Sequence, residues 1–212
     1  MIYPADKYDR VITISTNGKS GTRFPRGTKE MPCNNLKDAQ YLIEQYGMAI
    51  LNLQSHFTIN EGDDLSGYTI VGNGFDLILK PGCITNDTTF DDLVLIGELN
   101  GRVFINNCVI GTIGISNFHG EMQRVLINGD ISVCSDNTKE VLLIDCHAGT
   151  PKQRKFNCGG DGPKIFIRGL RGEYLFTNRV ISNHKLDVFL EAGNVEFDSF
   201  FNVSNSNVIN LN

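Results

Sequence analysis

The sequence predicts an all-β protein, a single-stranded right-handed parallel β-helix with one N-terminal capping helix. Three observations carry that expectation. Short runs of β-branched and aromatic residues recur along nearly the whole chain. From Val103 onward they return at intervals of about 17 to 23 residues, as expected when each rung of a solenoid uses two or three short strands. A single amphipathic segment precedes them, and nothing after Gly47 carries helical periodicity.

Residues 1–15 read as an N-terminal arm followed by a first strand at 10–14, and residues 16–212 as one β-helix domain. The turn-rich run at 21–28 leads through Pro32 and Asn34 into a helix over about 35–46. Asn35 is its N-cap, and Asp38 stands where a carboxylate reaches back to the unpaired amides of the first turn. Gly47 ends the helix in the left-handed conformation. Leu36, Ala39, Leu42, Ile43 and Tyr46 share one face, which fits a lid over the first layer of the stack.

Strand-like runs follow at 49–53, 68–71, 76–79, 93–96, 102–105, 125–127, 141–144, 164–167, 187–190 and 207–211. Shorter ones lie between them at 130–133 and 173–176. Several end in a polar or small residue followed by Gly, as at Ile127-Asn128-Gly129 and Ile167-Arg168-Gly169. A rung cannot bury its inward side chains alone, so successive rungs stack them into internal ladders. The competing architecture is an antiparallel sandwich or jelly roll, whose hairpins Asn17-Gly18, Asn73-Gly74, Asn100-Gly101 and Asn128-Gly129 would supply.

Composition narrows the function. The 212 residues are 41% hydrophobic and undivided by any linker, so they form one domain. A net charge of -5 and a pI near 5.3, with no Lys/Arg stripe, argue against nucleic acid as a partner. No signal-peptide pattern and no membrane-length apolar run is visible, so synthesis in a cytoplasm is expected, and no membrane partner. The six cysteines then read as reduced thiols acting as small buried hydrophobes. Cys146-His147 with Cys158 is the one grouping that hints at metal, and it lacks a close Cys pair or a second His.

Asn17-Gly18, Ser20-Gly21-Thr22, Phe24-Pro25, Gly27-Thr28, Pro32, Asn34-Asn35-Leu36 and Asp38-Ala39, followed by 67–74, resemble the opening segment of right-handed β-helix proteins of tailed-phage virions. The resemblance covers about the first third of the chain and is architectural beyond it. It implies a structural virion component: a homotrimeric tail spike, fibre or capsid decoration on tail, collar or head, bound to other virion proteins. Some larger relatives degrade host polysaccharide, so a host-glycan-binding or depolymerising tailspike is the alternative. A bacterial surface adhesin is a third reading, opposed by the missing export signal.

Glycan hydrolysis needs two carboxylates facing one another across a groove. Asp63-Asp64, the Asp87, Asp91, Asp92 group, Asp145, and Glu191 with Glu196 are the candidates, against their ordinary role as solvated corner residues. Adjacent Asp91 and Asp92 point to opposite sides of an extended strand and cannot serve one substrate. His56, His119, His147 and His184 show neither a serine elbow nor metal-ligand spacing, and the glycine cluster at 158–163 precedes a strand instead of opening a helix. The chain is therefore expected to be non-enzymatic, with no catalytic, cofactor or metal site. Interface residues are expected at three places. Tyr3 and Tyr8 would form a docking arm. Lys152, Arg154 and Lys155 would project from a long connection between about Cys146 and Pro163. Phe197, Phe200 and Phe201 would meet whatever covers a final rung that lacks a second capping helix.

Overall fold

A computed structural model describes residues 7–149, 152–179, 186–204 and 206–210. The order is β1 (Val11–Ile14), α1 (Leu36–Tyr46), β2 (Ile50–Leu53), β3 (Phe57–Ile59), β4 (Thr69–Val71), β5 (Asp76–Leu79), β6 (Thr88–Asp91), β7 (Val94–Glu98) and β8 (Val103–Asn106). Then come β9 (Val109–Phe118), β10 (Gly120–Gln123), β11 (Leu126–Ile127), β12 (Ile131–Val133), β13 (Glu140–Ile144), β14 (His147–Ala148), β15 (Arg154–Gly160), β16 (Lys164–Arg179), β17 (Leu186–Phe197) and β18 (Ser206–Asn210). Among the described residues every strand pairing is parallel, and the chain winds into a β-solenoid of about 8 turns. The antiparallel alternative is thereby excluded. The Asn-Gly pairs sit in corners between rungs, as at Asn73 (φ 50) and Gly74 (φ 77), where left-handed backbone turns the chain without reversing it.

One inward ladder runs through the whole stack. Ile12, Leu51, Ile70, Phe90, Ile105, Met122, Leu143, Ile167, Val188 and Val208 are register partners in succession. The first nine are buried, and Val208, in the last described strand, is 41% exposed. A second ladder follows Ile59, Leu79, Gly97, Ile115, Ile131, Phe156, Phe176 and Phe197. Alternation along each short strand sends these side chains inward and their neighbours to solvent.

The lid is built as the sequence requires, with one change. Asn35 Oδ1 accepts from the Asp38 amide at 2.8 Å, and Gly47 (φ 62) closes the helix. Asp38 does not return to the first-turn amides; its Oδ2 accepts from the Gly21 amide and from Asn35 Nδ2, both at 2.7 Å. The carboxylate therefore ties the turn-rich run to the helix it precedes. That run in turn covers the free edge of β1: Thr13 donates to the Gly27 carbonyl at 2.8 Å and Cys33 to that of Thr13 at 2.9 Å. Leu36, Ala39, Leu42 and Ile43 are buried against the first rung. Asn35→Ala is expected to cost about 1–2 kcal/mol, read as a lower thermal midpoint. The Gly21 and Asn35 hydrogen bonds hold the Asp38 carboxyl below its ordinary 3.8. A depressed folded-state value means stability present above pH 3.8 and lost as pH falls through the folded value. Asp38→Asn should flatten that acid limb of the stability curve.

Two expectations are corrected. Tyr8 is 4% exposed, its ring 5.6 Å from Phe24 and 5.0 Å from Tyr46, so it seals the lid instead of forming a docking arm. Tyr3 lies outside the described residues. The segment between Cys146 and Pro163 is not a long excursion, because β14 and β15 occupy most of it and Arg154 and Lys155 pair with Tyr174 and Leu175. Its rung, from Val141 to Ile165, slightly exceeds the expected repeat, and the polar run at 152–155 leads into a strand whose inward residues are Phe156 and Cys158.

Candidate functional site

The C-terminal aromatic residues separate into two roles. Phe156, Phe176, Phe197 and Phe201 form a column with successive ring centroids 5.0, 6.0 and 4.8 Å apart. Phe201 is 8% exposed, with the Arg179 guanidinium 5.8 Å from its ring. Phe197 and Phe201 thus complete the last turns, while Phe200 is 91% exposed and available for contact. Lys152 and Lys155 are exposed, and Arg154 is half-buried. These basic residues and Phe200 do not meet in any contact of the described chain.

Most of the candidate carboxylates hold corners. Asp63 accepts from the Asn60 amide and Asp64 from that of Ser66, both at 2.8 Å. Asp91 accepts from Asn107 Nδ2 at 2.9 Å, and Asn107 from Arg124 Nε at 2.8 Å, a polar string that runs up the outside of three rungs. Asp87 and Asp92 both take left-handed backbone (φ 52), and Glu196 is bound by Gln153 at 2.9 Å.

One pair does converge. Asp92, Asn107, Arg124, Asp145 and Gly169 occupy equivalent left-handed corners on successive rungs. A Cβ placed on Gly169 would lie 2.5 Å from Asp145 Oδ1 and 3.3 Å from Glu191 Oε1, so the two oxygens face the same space over Gly169, no more than about 6 Å apart, as a carboxylate pair for glycoside chemistry must. His147 and Arg171 complete the cleft, of only about 100 Å³. Arg171 Nη2 lies 2.6 Å from Glu191 Oε2, so that carboxylate is already paired.

The residue after each of these corners turns inward, and two of the cysteines stand there. Leu93, Cys108, Val125, Cys146 and Leu170 form a buried column. All six cysteines are buried and unpaired. Burial pushes the Cys108 and Cys158 thiols up to about 12, and Cys33, Cys83 and Cys146 up to about 11. A thiol that cannot ionise does not attack. A disulfide reagent at pH 8 is therefore expected to leave the folded protein nearly unlabelled and to titrate six thiols in denaturant; prompt native labelling would contradict the packing. Among the described residues no three His, Cys, Asp or Glu side chains converge to hold a metal ion, and no helix is long and apolar enough to cross a membrane.

One groove was not anticipated. It has a volume of about 570 Å³ and runs beside the starts of β6, β8, β10 and β13, where Asp87, Arg102, His119 and Glu140 stand one residue before the aligned positions Thr88, Val103, Gly120 and Val141. Thr138 and Lys139, from the turn at 136–139, line it together with Glu121 and Leu142. Arg102 lies over the Phe104 ring at 4.7 Å. His119 Nδ1 is buried without a hydrogen-bond partner, and burial, followed by the nearby Lys139 charge, pushes the imidazole below its ordinary value. In the sequence these residues are spread over 54 positions with no shared motif. Their equal offset from aligned inward residues is the signal, and it is readable only once the register is known.

Comparison with protein-family models, with curated proteins and with solved structures finds no match.

Proposed function

We propose that this chain is a non-enzymatic structural protein of a tailed-phage virion, a rigid β-helix spike, fibre or decoration that assembles as a homotrimer and joins other virion proteins on tail, collar or capsid. The observation that carries the reading is the unbroken ladder from Ile12 to Val208 behind an opening segment whose turns, helix and first rung close on one another. Interior strands are hydrogen-bonded on both edges, which gives a stiff, protease-resistant body suited to a particle surface.

The outward face of the strands that carry the long inward ladder, β4, β6, β8, β10, β13, β16, β17 and β18, supports trimerisation. Its last rungs present half-buried Leu142, Ile144, Phe166 and Phe189 and the 45% exposed Ile209, interspersed with Arg168, Asp187 and Asn207, whereas nearer the lid Thr69, Thr89, Asp91, Asn106, Glu121 and Gln123 outnumber Val71 and Phe104 at the equivalent places. Covering these outward apolar side chains is what a subunit contact does. Native mass measurement should find three chains, Phe189→Asp should shift the population toward monomer, and labelled antibody should mark tail, collar or capsid on particles. A strictly monomeric parent together with unlabelled particles would sink the reading.

The second reading, a depolymerising tailspike, is favoured by one observation, the convergence of Asp145 and Glu191. It requires release of reducing ends from host polysaccharide and their loss in Asp145→Asn. A parent protein that releases none ends it.

A further inference from the structure

We propose that the lid of this chain binds the last turn of a second copy, with Phe200 of one copy seated in a cleft between the turn-rich run and β1 of the next. The contact joins unlike surfaces, so it is separate from side-by-side packing into trimers and does not depend on it. The exposed large apolar side chains gather at the two ends of the stack. Of nine among the described residues, Phe24, Met31 and Tyr41 belong to the lid, Phe200, Val203, Val208 and Ile209 follow the last full rung, and only Ile84 and Ile113 lie between. Scattered exposed apolar residues need no explanation, whereas clusters at opposite ends mark surfaces that meet something.

The two ends match in shape. The lid holds a cleft of about 430 Å³ walled by Phe24, Pro25 and Met31. The other end holds a projecting side chain: Phe200 is the most exposed of the nine at 91%, set in a turn where the Asp198 carboxylate accepts from its amide at 3.1 Å. An aromatic anchor entering an apolar pocket is the usual centre of a specific contact.

They also match in charge. Residues 7–47 hold seven Lys or Arg and four Asp or Glu, whereas residues 180–212 hold one Lys and four Asp or Glu. Within the cleft itself Lys7 and Lys29 are balanced by Asp9 and Glu30, so the surplus comes from its surroundings. Lys19, Arg23 and Lys37 are exposed and form no salt bridge among the described residues, and Arg23 adjoins Phe24 in the chain. Asp38 adds little opposing charge at the surface, because it is bound to the Gly21 amide and Asn35. On the other end Glu196 and Asp198 precede Phe200 on the same turn. Two lids would repel one another, and so would two last turns, which leaves lid to last turn as the pairing that like charges do not oppose. Each such pair keeps one free lid and one free last turn, so copies add in series.

Sedimentation of the full chain over a range of concentrations tests this. The average mass of the parent should keep rising with concentration beyond its smallest unit, and the rise should weaken in about 0.5 M salt, where the screening length falls to about 4 Å. Phe200→Asp on the last turn and Met31→Asp on the lid should each weaken association at least about tenfold. Mixed in equal amounts, the two variants should associate one to one although neither does so alone, because each keeps the surface the other has lost. Both side chains are exposed, so the variants should melt with the parent; if Met31→Asp melts lower, Arg23→Glu takes its place as the lid variant. Phe189→Asp, which addresses side-by-side packing, should leave this association intact. A parent whose mass does not change with concentration, a single variant that still associates by itself, or a mixture that does not associate would each overturn the proposal.

Discussion

Replacing Phe90 by Ala should cost about 3–5 kcal/mol, enough to consume much of the stability of a typical domain. Phe90 is fully buried in the fourth place of the long ladder, between Ile70 and Ile105. Strand β6 is hydrogen-bonded to β4 on one side and β8 on the other, so the rungs cannot close over the space a phenyl ring leaves. Residual cavity is what raises the cost of a large-to-small change above simple transfer. Phe90→Leu keeps most of the volume and should lose less than about 2 kcal/mol. Urea unfolding followed by far-ultraviolet circular dichroism measures both; an Ala midpoint equal to that of the parent would mean the ladder is not a continuous core. In a stack stabilised by nearest-neighbour contacts, the defect should also weaken rungs on either side, appearing as a broader transition.

Gly97→Ala should be comparably damaging for the opposite reason, too little room. Gly97 adopts φ 115 in β7, where the second ladder drops from Leu79 to a residue with no side chain before resuming at Ile115. An added Cβ would fall 2.0 Å from the Leu79 carbonyl oxygen and 2.9 Å from its carbon. Both contacts are backbone, fixed by the parallel pairing, so relief requires shifting a rung. Backbone strain and overlap together should cost about 3–5 kcal/mol. Gly74→Ala separates the two contributions: Gly74 also has a positive φ (77), yet nothing lies within 4 Å of its added Cβ. That variant should lose only about 1 kcal/mol. Equal losses at the two positions would show that conformation, and not the closeness of successive rungs, decides.

The lid was legible residue by residue. Asn35, Gly47 and the Leu36, Ala39, Leu42, Ile43 face act within one helix, and capping and amphipathic spacing are local properties. The redirection of Asp38 to the Gly21 amide was not legible, because an acceptor at that position serves whichever donor folding brings near. The strand at 154–160 was missed because its first residues, Arg154 and Lys155, are basic and its inward pair is only Phe156 and Cys158. Phe197 and Phe201 read as contact residues, and the column over Phe176 makes them interior.

What the sequence by itself determined is the repeat: short apolar runs at near-constant intervals, corners rich in Asn, Asp and Gly, and one capped helix before them. Those features are set by side-chain pattern and turn chemistry within a few residues. Only the tertiary structure decided the register, and with it everything that depends on neighbours one rung apart. Asp145 and Glu191 converge over Gly169 from the rungs on either side of it, and Arg102 and His119 line one groove, because parallel winding brings residues some twenty positions apart to within one strand spacing and those of alternate rungs to within two. No local preference encodes that offset; it is chosen by which inward side chains pack best from rung to rung.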